Sequence, residues 1–414
     1  MRTSIRIICA MCFVLISCSE KIEESQHQRI RENIDKSWRF SFGHAGDPAR
    51  DFNFGTDLLF AKSGRTNNSA INPRFDDSEW RKLDLPHDWA VELPFVEDDD
   101  KYHTAHGSKP VGGMFPETSI GWYRKHFDIP VSDSGKQLSL SFDGVFRDAK
   151  FWLNGFYLGT NESGYIGVTY PISDYVNFHG DNVLVVRVDA TQFEGWFYEG
   201  AGIYRHVWLN IRNNVHLPDG GVFISTDISK GRGKRAEIAS RAEVKSEISV
   251  ANSGLEDASV RVKSIVTDRS GKVIAQAISG KMQSKARQRP IVIPAKTGSS
   301  QPPMATFTHK IKTPRLWSLE DPYLYRITHI VLVKGKEVDR LTTKFGIRDI
   351  EIDPDKGFFL NGKHIKIQGT NNHQDHAGVG SALPDYLQYY RIQHLKNFGV
   401  NAYRASHNPP TPEL

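Results

Sequence analysis

The sequence predicts a mainly β protein in three consecutive parts: a jelly-roll β-sandwich, an immunoglobulin-like β-sandwich, and the start of a (β/α)8 TIM barrel. Two observations carry this reading. From residue 34 to residue 347, short stretches alternate apolar and polar side chains between Gly, Asn and Asp, with no helical period of useful length. From residue 348 the pattern changes to strand, helix, strand. A lone parallel pair of strands cannot cover both its faces, so this unit belongs to a larger barrel, typically ~250 residues in all.

The first residues are targeting signal, not fold. Arg2 and Arg6 precede an apolar run at residues 7–16, far shorter than the ~20 residues a spanning helix needs. Leu15-Ile16-Ser17-Cys18 follows and resembles a bacterial lipobox; a plain secretion signal is the alternative. Residues 1–18 are therefore expected to be a lipoprotein signal peptide, with Cys18 lipidated, and residues 19–33 a tether. Glu20, Glu23 and Glu24 faintly resemble a surface-export tag. The expected place is the periplasm or outer-membrane surface of a Gram-negative bacterium, on a membrane anchor. All three cysteines (Cys9, Cys12, Cys18) lie in the signal segment, so no disulfide or cysteine chemistry is expected in the mature chain.

A length of 414 residues allows two to four domains, and 39% hydrophobic with 24% charged residues is ordinary for a soluble globular protein. The net charge of +5 is spread along the chain. Its densest run, residues 230–235, reads as a solvated turn rather than a polyanion patch, and no nucleic-acid partner is expected. Aromatic content of 11% suits sugar stacking but also ordinary sandwich cores.

Residues 34–213 form the expected jelly roll. Residues 138–142, 183–188 and 207–211 alternate, and Asn154-Gly155 supplies a hairpin turn between two strands. Trp152 and Trp208 read as core. Residues 214–347 form the immunoglobulin-like unit, with strands at 259–266 and 325–333, turns at Ser270-Gly271 and Lys334-Gly335, and a long loop at 284–303. Residues 348–414 open the barrel. A hairpin spans 358–363, and a strand spans 364–369. Pro384 and Asp385 then start a helix that places Leu387, Tyr390, Leu395 and Phe398 on one face, and Gly399 closes it. A second strand follows at 400–404.

These two barrel strands deliver Asn371, His373, Asp375 and His376, then Arg404, His407 and Asn408, to one end of a parallel sheet. Barrel active sites are built at that end. No cluster has the makings of a metal site: the His373/His376 pair lacks a third partner, and no metal or cofactor is expected.

Several ordered motifs resemble glycoside hydrolase family 2. Leu85-Pro86-His87-Asp88-Trp89, Gly121-Trp122-Tyr123-Arg124, Asn154-Gly155 and residues 199–205 are similar to its sugar-binding domain. Leu316-Trp317-Ser318, residues 321–325 and Phe345-Gly346-Ile347-Arg348 are similar to the end of its immunoglobulin-like domain and the barrel junction. Residues 357–363, 369–373 and 401–407 are similar to the opening of its catalytic barrel. The resemblance implies an exo-acting, retaining hydrolase of β-linked glycans, most like β-galactosidases, with β-glucuronidases and β-mannosidases sharing the motifs. It implies one Glu acting as acid/base and a second as nucleophile, ~5–5.5 Å apart. In the family they follow the fourth and seventh barrel strands, so they are expected beyond Leu414 and no catalytic carboxylate is expected within this chain.

The resemblance places His373 beside the glycone and His407 below the sugar plane, where neutral imidazoles can hydrogen-bond hydroxyls as charge develops at the anomeric carbon. Arg404 is in phase to point into the barrel and lock a carboxylate, or simply to fill it. Asn371 and Asn408 are further substrate-binding candidates, with turn formation as the competing role. Asp189 matches, with a one-residue gap, a family aspartate that reaches the sugar from the first domain; a strand-end turn is the alternative. Trp196 and Tyr198 share its loop. The competing functional class is a lipid-anchored, non-catalytic carbohydrate-binding protein, and an oligomer is left open. Replacing Cys18 with Ser is expected to move the protein from the membrane to the soluble fraction on cell fractionation; retention in the membrane fraction refutes lipidation at this residue.

Overall fold

The computed structural model describes residues 29–55, 69–93, 119–192, 197–230, 239–279, 290–297 and 304–414. Cys18, the expected signal peptide, Trp196, most of the basic run at 230–235 and much of the expected loop at 284–303 lie outside the described residues. No helix among the described residues is long and apolar enough to cross a membrane.

Two sheets make the first sandwich. One orders Ile30–Asn33, Val207–Arg212, Gln137–Phe142 and Val168–Pro171. The other orders Arg81–Leu83, Trp38–Phe42, Ile120–Phe127, Asn182–Asp189, Ala149–Leu153 and Phe156–Asn161. Trp38, Phe40, Leu140, Phe142, Phe151 and Val186 meet between them. The six-stranded sheet is also covered on its second face, where Trp122 and Trp152 stack 6.0 Å apart beneath Trp80, Phe52 and Phe54. This explains why residues 182–188 are buried without a break, as strands covered on both faces are. Arg124, fully buried on that side, donates to Asp77 at 2.7 Å. Asn154 and Gly155 take φ of 52° and 82°, the positive values the hairpin turn requires.

Two expectations are corrected in this domain. Residues 30–33 are no part of a tether: they pair antiparallel with Val207–Arg212 and close the sheet edge. Their neighbour Arg29 reaches the second sandwich and donates to Asp339 at 2.8 Å. Trp208 is not core. The strand's two-residue period turns Val207, Leu209 and Ile211 inward, so Trp208 lies on the outer face under the Arg31 guanidinium.

The second sandwich pairs Val222–Lys230, Ala239–Ile248 and Ala305–Lys312 in one sheet. The other contains Val273–Ile278, Ala258–Thr267, Tyr325–Val333 and Lys336–Phe345. Within the expected long loop, Ile291–Ile293 forms an added strand on Ala258–Thr267, because its apolar residues reach a sheet edge beside Val260. Two histidines sit in this core. Ser264 and His309 bond across the sheets at 2.8 Å, and Ser246 and His329 at 3.1 Å. Phe307 packs against both imidazoles. Burial, reinforced by the neighbouring His309, pushes His329 down to about 4.

The barrel segment begins with the hairpin Gly357–Leu360 and Lys363–His364, turned by Asn361-Gly362. The first parallel strand is Gly369–Asn372, not 364–369, and the second is Ala402–Ala405, not 400–404. The shift has a local cause. Asn401 accepts from the Gln368 N–H at 2.8 Å and donates to the Lys366 carbonyl at 3.0 Å, so a side chain replaces ladder bonds below Gly369. Helix Asp385–Asn397 connects the strands. Within this chain Gln388 is its one buried residue, and Tyr390 and Phe398 of the expected apolar face are 43% and 83% exposed.

Protonating His329 in this core brings an uncompensated charge into a desolvated site. The folded state therefore binds fewer protons than the unfolded chain between about pH 6.5 and 4. Stability is expected to hold above pH 6.5 and to fall as the pH drops towards 4, by on the order of 3 kcal/mol. Urea unfolding at a series of pH values checks this, and His329→Gln should flatten the acid limb; an unchanged slope in the variant refutes the assignment.

Candidate functional site

The site is assembled around one carboxylate from the first sandwich. Asp88 is 2% exposed and caps the short 3-10 helix Trp89–Glu92 through the Ala90 N–H. Its Oδ1 also accepts the Ala201 N–H at 2.9 Å. Its Oδ2 accepts the Tyr198 hydroxyl and the Ser381 N–H, both at 2.8 Å. Burial pushes this carboxyl above the usual carboxylate range, against the four hydrogen bonds that favour its charged form. Gly200 and Gly380, both at positive φ, crowd the same carboxylate, and a Cβ on either would run into Oδ2. Backbone bonds from His87 N to Ile203 O and from Trp89 N to Ala201 O zip the two surrounding segments together.

Three more contacts fix the barrel strands to the sandwich. Arg205 donates to Gln374 Oε1 at 3.2 Å and to the Pro409 carbonyl at 2.7 Å, so it holds the loops after both strands. Asn408 donates to the same Gln374 oxygen at 2.7 Å. His206 bridges Asp35 at 2.6 Å and Asp385, in the first helical turn, at 2.9 Å. Those carboxylates raise His206 to about 9. Glu413 joins this cluster, but an imidazole with both nitrogens protonated and bonded is no metal ligand.

Beyond the strand ends, His373 and His407 meet edge to face, with ring centroids 5.5 Å apart and planes at 89°. Phe197, from the sandwich loop, packs 4.9 Å from His373 and 6.2 Å from His407. Arg391 of the helix donates to the His373 carbonyl at 2.6 Å and holds that loop's main chain. In the parallel register Asn371 lies opposite Arg404, and Arg404 donates to Asn371 Oδ1 and Ser406 Oγ, each at 3.1 Å. Tyr403 and Ala405 face the other way, into a cleft against Arg205 and His206.

The structure thus gathers His373, His407, Arg404 and Asn371 at one strand end, with Asn408 behind them on Gln374. Asp189 is engaged at the end of its own strand. Its carboxylate accepts from Arg187 at 3.2 Å and from the Thr191 hydroxyl at 2.6 Å, a strand-end turn. Tyr198 faces Asp88. Phe197 escaped the sequence reading because no periodicity singles it out from the aromatic residues beside it; Asp88 stood inside a quoted motif without a role.

Three models of one family match in order: "Glycosyl hydrolases family 2, sugar binding domain" over residues 32–212, "Glycosyl hydrolases family 2" over 222–348, and "Glycosyl hydrolases family 2, TIM barrel domain" over 350–414. The chain belongs to glycosyl hydrolase family 2. Among its relatives, Beta-galactosidase BoGH2A of Bacteroides ovatus is 32% identical over 96% of this chain and 40% of its own length. A putative beta-glucuronidase of Formosa agariphila is 31% identical over 97% of this chain and 33% of its own. The crystal structure of a beta-glycosidase from Bacteroides vulgatus superposes with a TM-score of 0.73 at 28% identity, covering 93% of this chain and 42% of that one. The chain therefore spans about 40% or less of the length of the first two family 2 relatives.

Asp88→Asn keeps the side chain's shape but turns an NH2 towards N–H or O–H donors. It is expected to cost roughly 2–3 kcal/mol and to release the barrel strands from the sandwich. Denaturant unfolding with amide hydrogen exchange at Ser381 tests this; full Ser381 protection in the variant refutes the hub.

Proposed function

We propose that this chain supplies the glycone-holding part of an exo-acting, retaining β-glycosidase, with β-galactosides as its preferred substrates. The observation that carries the reading is the meeting of His373, His407 and Arg404 at the ends of two parallel barrel strands. No hydrogen bond to a described protein group occupies the ring nitrogens of His373 or His407, so they are available to sugar hydroxyls. Arg404 carries three further N–H groups beyond those on Asn371 and Ser406, enough to hold an incoming carboxylate by a charge-assisted pair. In this mechanism the imidazoles grip the glycone. One glutamate protonates the leaving oxygen, the other attacks the anomeric carbon, and water then releases the sugar. The two glutamates come from later barrel strands.

The galactoside preference follows the motif resemblance, with a β-galactosidase at 32% identity and a putative β-glucuronidase at 31% both among the relatives. A second reading, a non-catalytic carbohydrate-binding protein, draws support from the carboxylates after the first barrel strand. Asp385 is bonded to His206, Glu413 to Thr411, and Asp375 lies within electrostatic reach of the Tyr198 hydroxyl. The lipobox-like Leu15-Ile16-Ser17-Cys18 supports an exported, lipid-anchored protein acting on extracellular or periplasmic glycans in either reading.

Hydrolysis of 4-nitrophenyl β-galactoside, β-glucuronide and β-mannoside separates the readings, assayed on the protein from its complete reading frame and on the 414-residue chain. The galactoside is expected to give the highest kcat/KM with the former and no turnover with the latter. His407→Ala is expected to lower kcat/KM about 100-fold, or ~2.7 kcal/mol. A better glucuronide refutes the sugar assignment, and turnover by the 414-residue chain refutes the location of the carboxylates.

A further inference from the structure

We propose that Phe197 is a positioning residue: the first sandwich uses its ring to hold the His373 and His407 imidazoles in their sugar-binding orientation. The inference rests on the glycosidase reading for what the imidazoles bind, and on geometry alone for what holds them.

A histidine that must offer its ring nitrogens to a ligand cannot be oriented by hydrogen bonds through both of them. Three other histidines among the described residues show the alternative. His206 is fixed by carboxylates on both nitrogens, and His309 and His329 by serines. Each is thereby bonded to a protein group through a ring nitrogen. His373 and His407 have no such bond among the described residues. Their rings are held by ring packing instead, in a three-ring cluster with spacings of 4.9, 5.5 and 6.2 Å. Centroid distances of 4.5–7 Å with tilted or edge-to-face planes are the preferred geometry for such pairs. Phe197 touches both imidazoles, so one side chain sets two rotamers.

Phe197 is itself fixed from behind. The next residue, Tyr198, donates to the buried Asp88 at 2.8 Å, and Asp88 also accepts the Ser381 N–H of the barrel segment. The ring is thus carried on a loop whose position is referenced to the same carboxylate that references the barrel. A site residue held about 1 Å out of place can cost 10²-fold in rate.

Two measurements test the proposal. The first needs no activity: side-chain NMR of the 414-residue chain in wild-type, Phe197→Ala and Phe197→Tyr forms. Phe197→Ala should shift the His373 and His407 ring proton resonances and leave those of His309 and His329 in the second sandwich in place, whereas Phe197→Tyr should keep all four near wild type. Unmoved His373 and His407 resonances in Phe197→Ala overturn the proposal. The second is kinetics on the protein from its complete reading frame. Phe197→Ala should lower kcat/KM for the aryl galactoside roughly 100-fold at an unchanged melting temperature, and Phe197→Tyr should restore it. Wild-type kcat/KM in Phe197→Ala overturns the positioning role. If the wild-type protein cleaves no β-glycoside, the glycosidase reading fails, and the NMR comparison still decides the role of Phe197.

Discussion

The carboxylate of Asp88 is the constraint on which the rest of this structure depends. It takes four hydrogen bonds from three separate stretches of chain, from Ala90, from Tyr198 and Ala201, and from Ser381. Only a buried anion with all its lone-pair directions used can tie three segments at one point, because an unsatisfied group there would carry a desolvation cost of several kcal/mol. Gly200 and Gly380 show how closely the chain is drawn in around it. Arg205 and His206 repeat the arrangement on a smaller scale, each spanning from the sandwich to the barrel segment.

This arrangement assigns the first sandwich a structural part in the site. The parallel strands Gly369–Asn372 and Ala402–Ala405 expose many of their residues, and their connecting helix presents little buried surface. Within this chain they meet the first sandwich through the polar contacts of Arg205, His206 and Asp88 and through Ala382 in its core. The second sandwich has a different character: its core is apolar with two serine–histidine bonds crossing it, and the Arg29–Asp339 pair joins it to the start of the first.

At the site, main-chain and side-chain anchoring divide the work. Arg391 holds the backbone of the first loop and Gln374 gathers Arg205 and Asn408 behind the second. The imidazoles of His373 and His407 are left with packing contacts to Phe197 and to each other. Atoms meant for a ligand are thereby kept out of the protein's own hydrogen-bond network. Asp189 illustrates the opposite case, with both carboxylate oxygens used within its own strand end.

The strands of both sandwiches were legible in the sequence because alternation and Asn-Gly turns are local signals, seen at Ala258–Thr267, Tyr325–Val333 and the turn at Asn154. The histidine-bearing strand ends were legible for the same reason, although the strands themselves began later once Asn401 replaced their first ladder bonds. The outward turn of Trp208 and the use of residues 30–33 as an edge strand were not legible. Each depends on which face a distant segment covers. By itself, then, the sequence determined the order of folds, the family and the pair of histidines. Only the tertiary structure decided that Phe197 reaches that pair and that Asp88 joins the domains. These are contacts between residues up to 293 positions apart, and no local pattern of side chains encodes them.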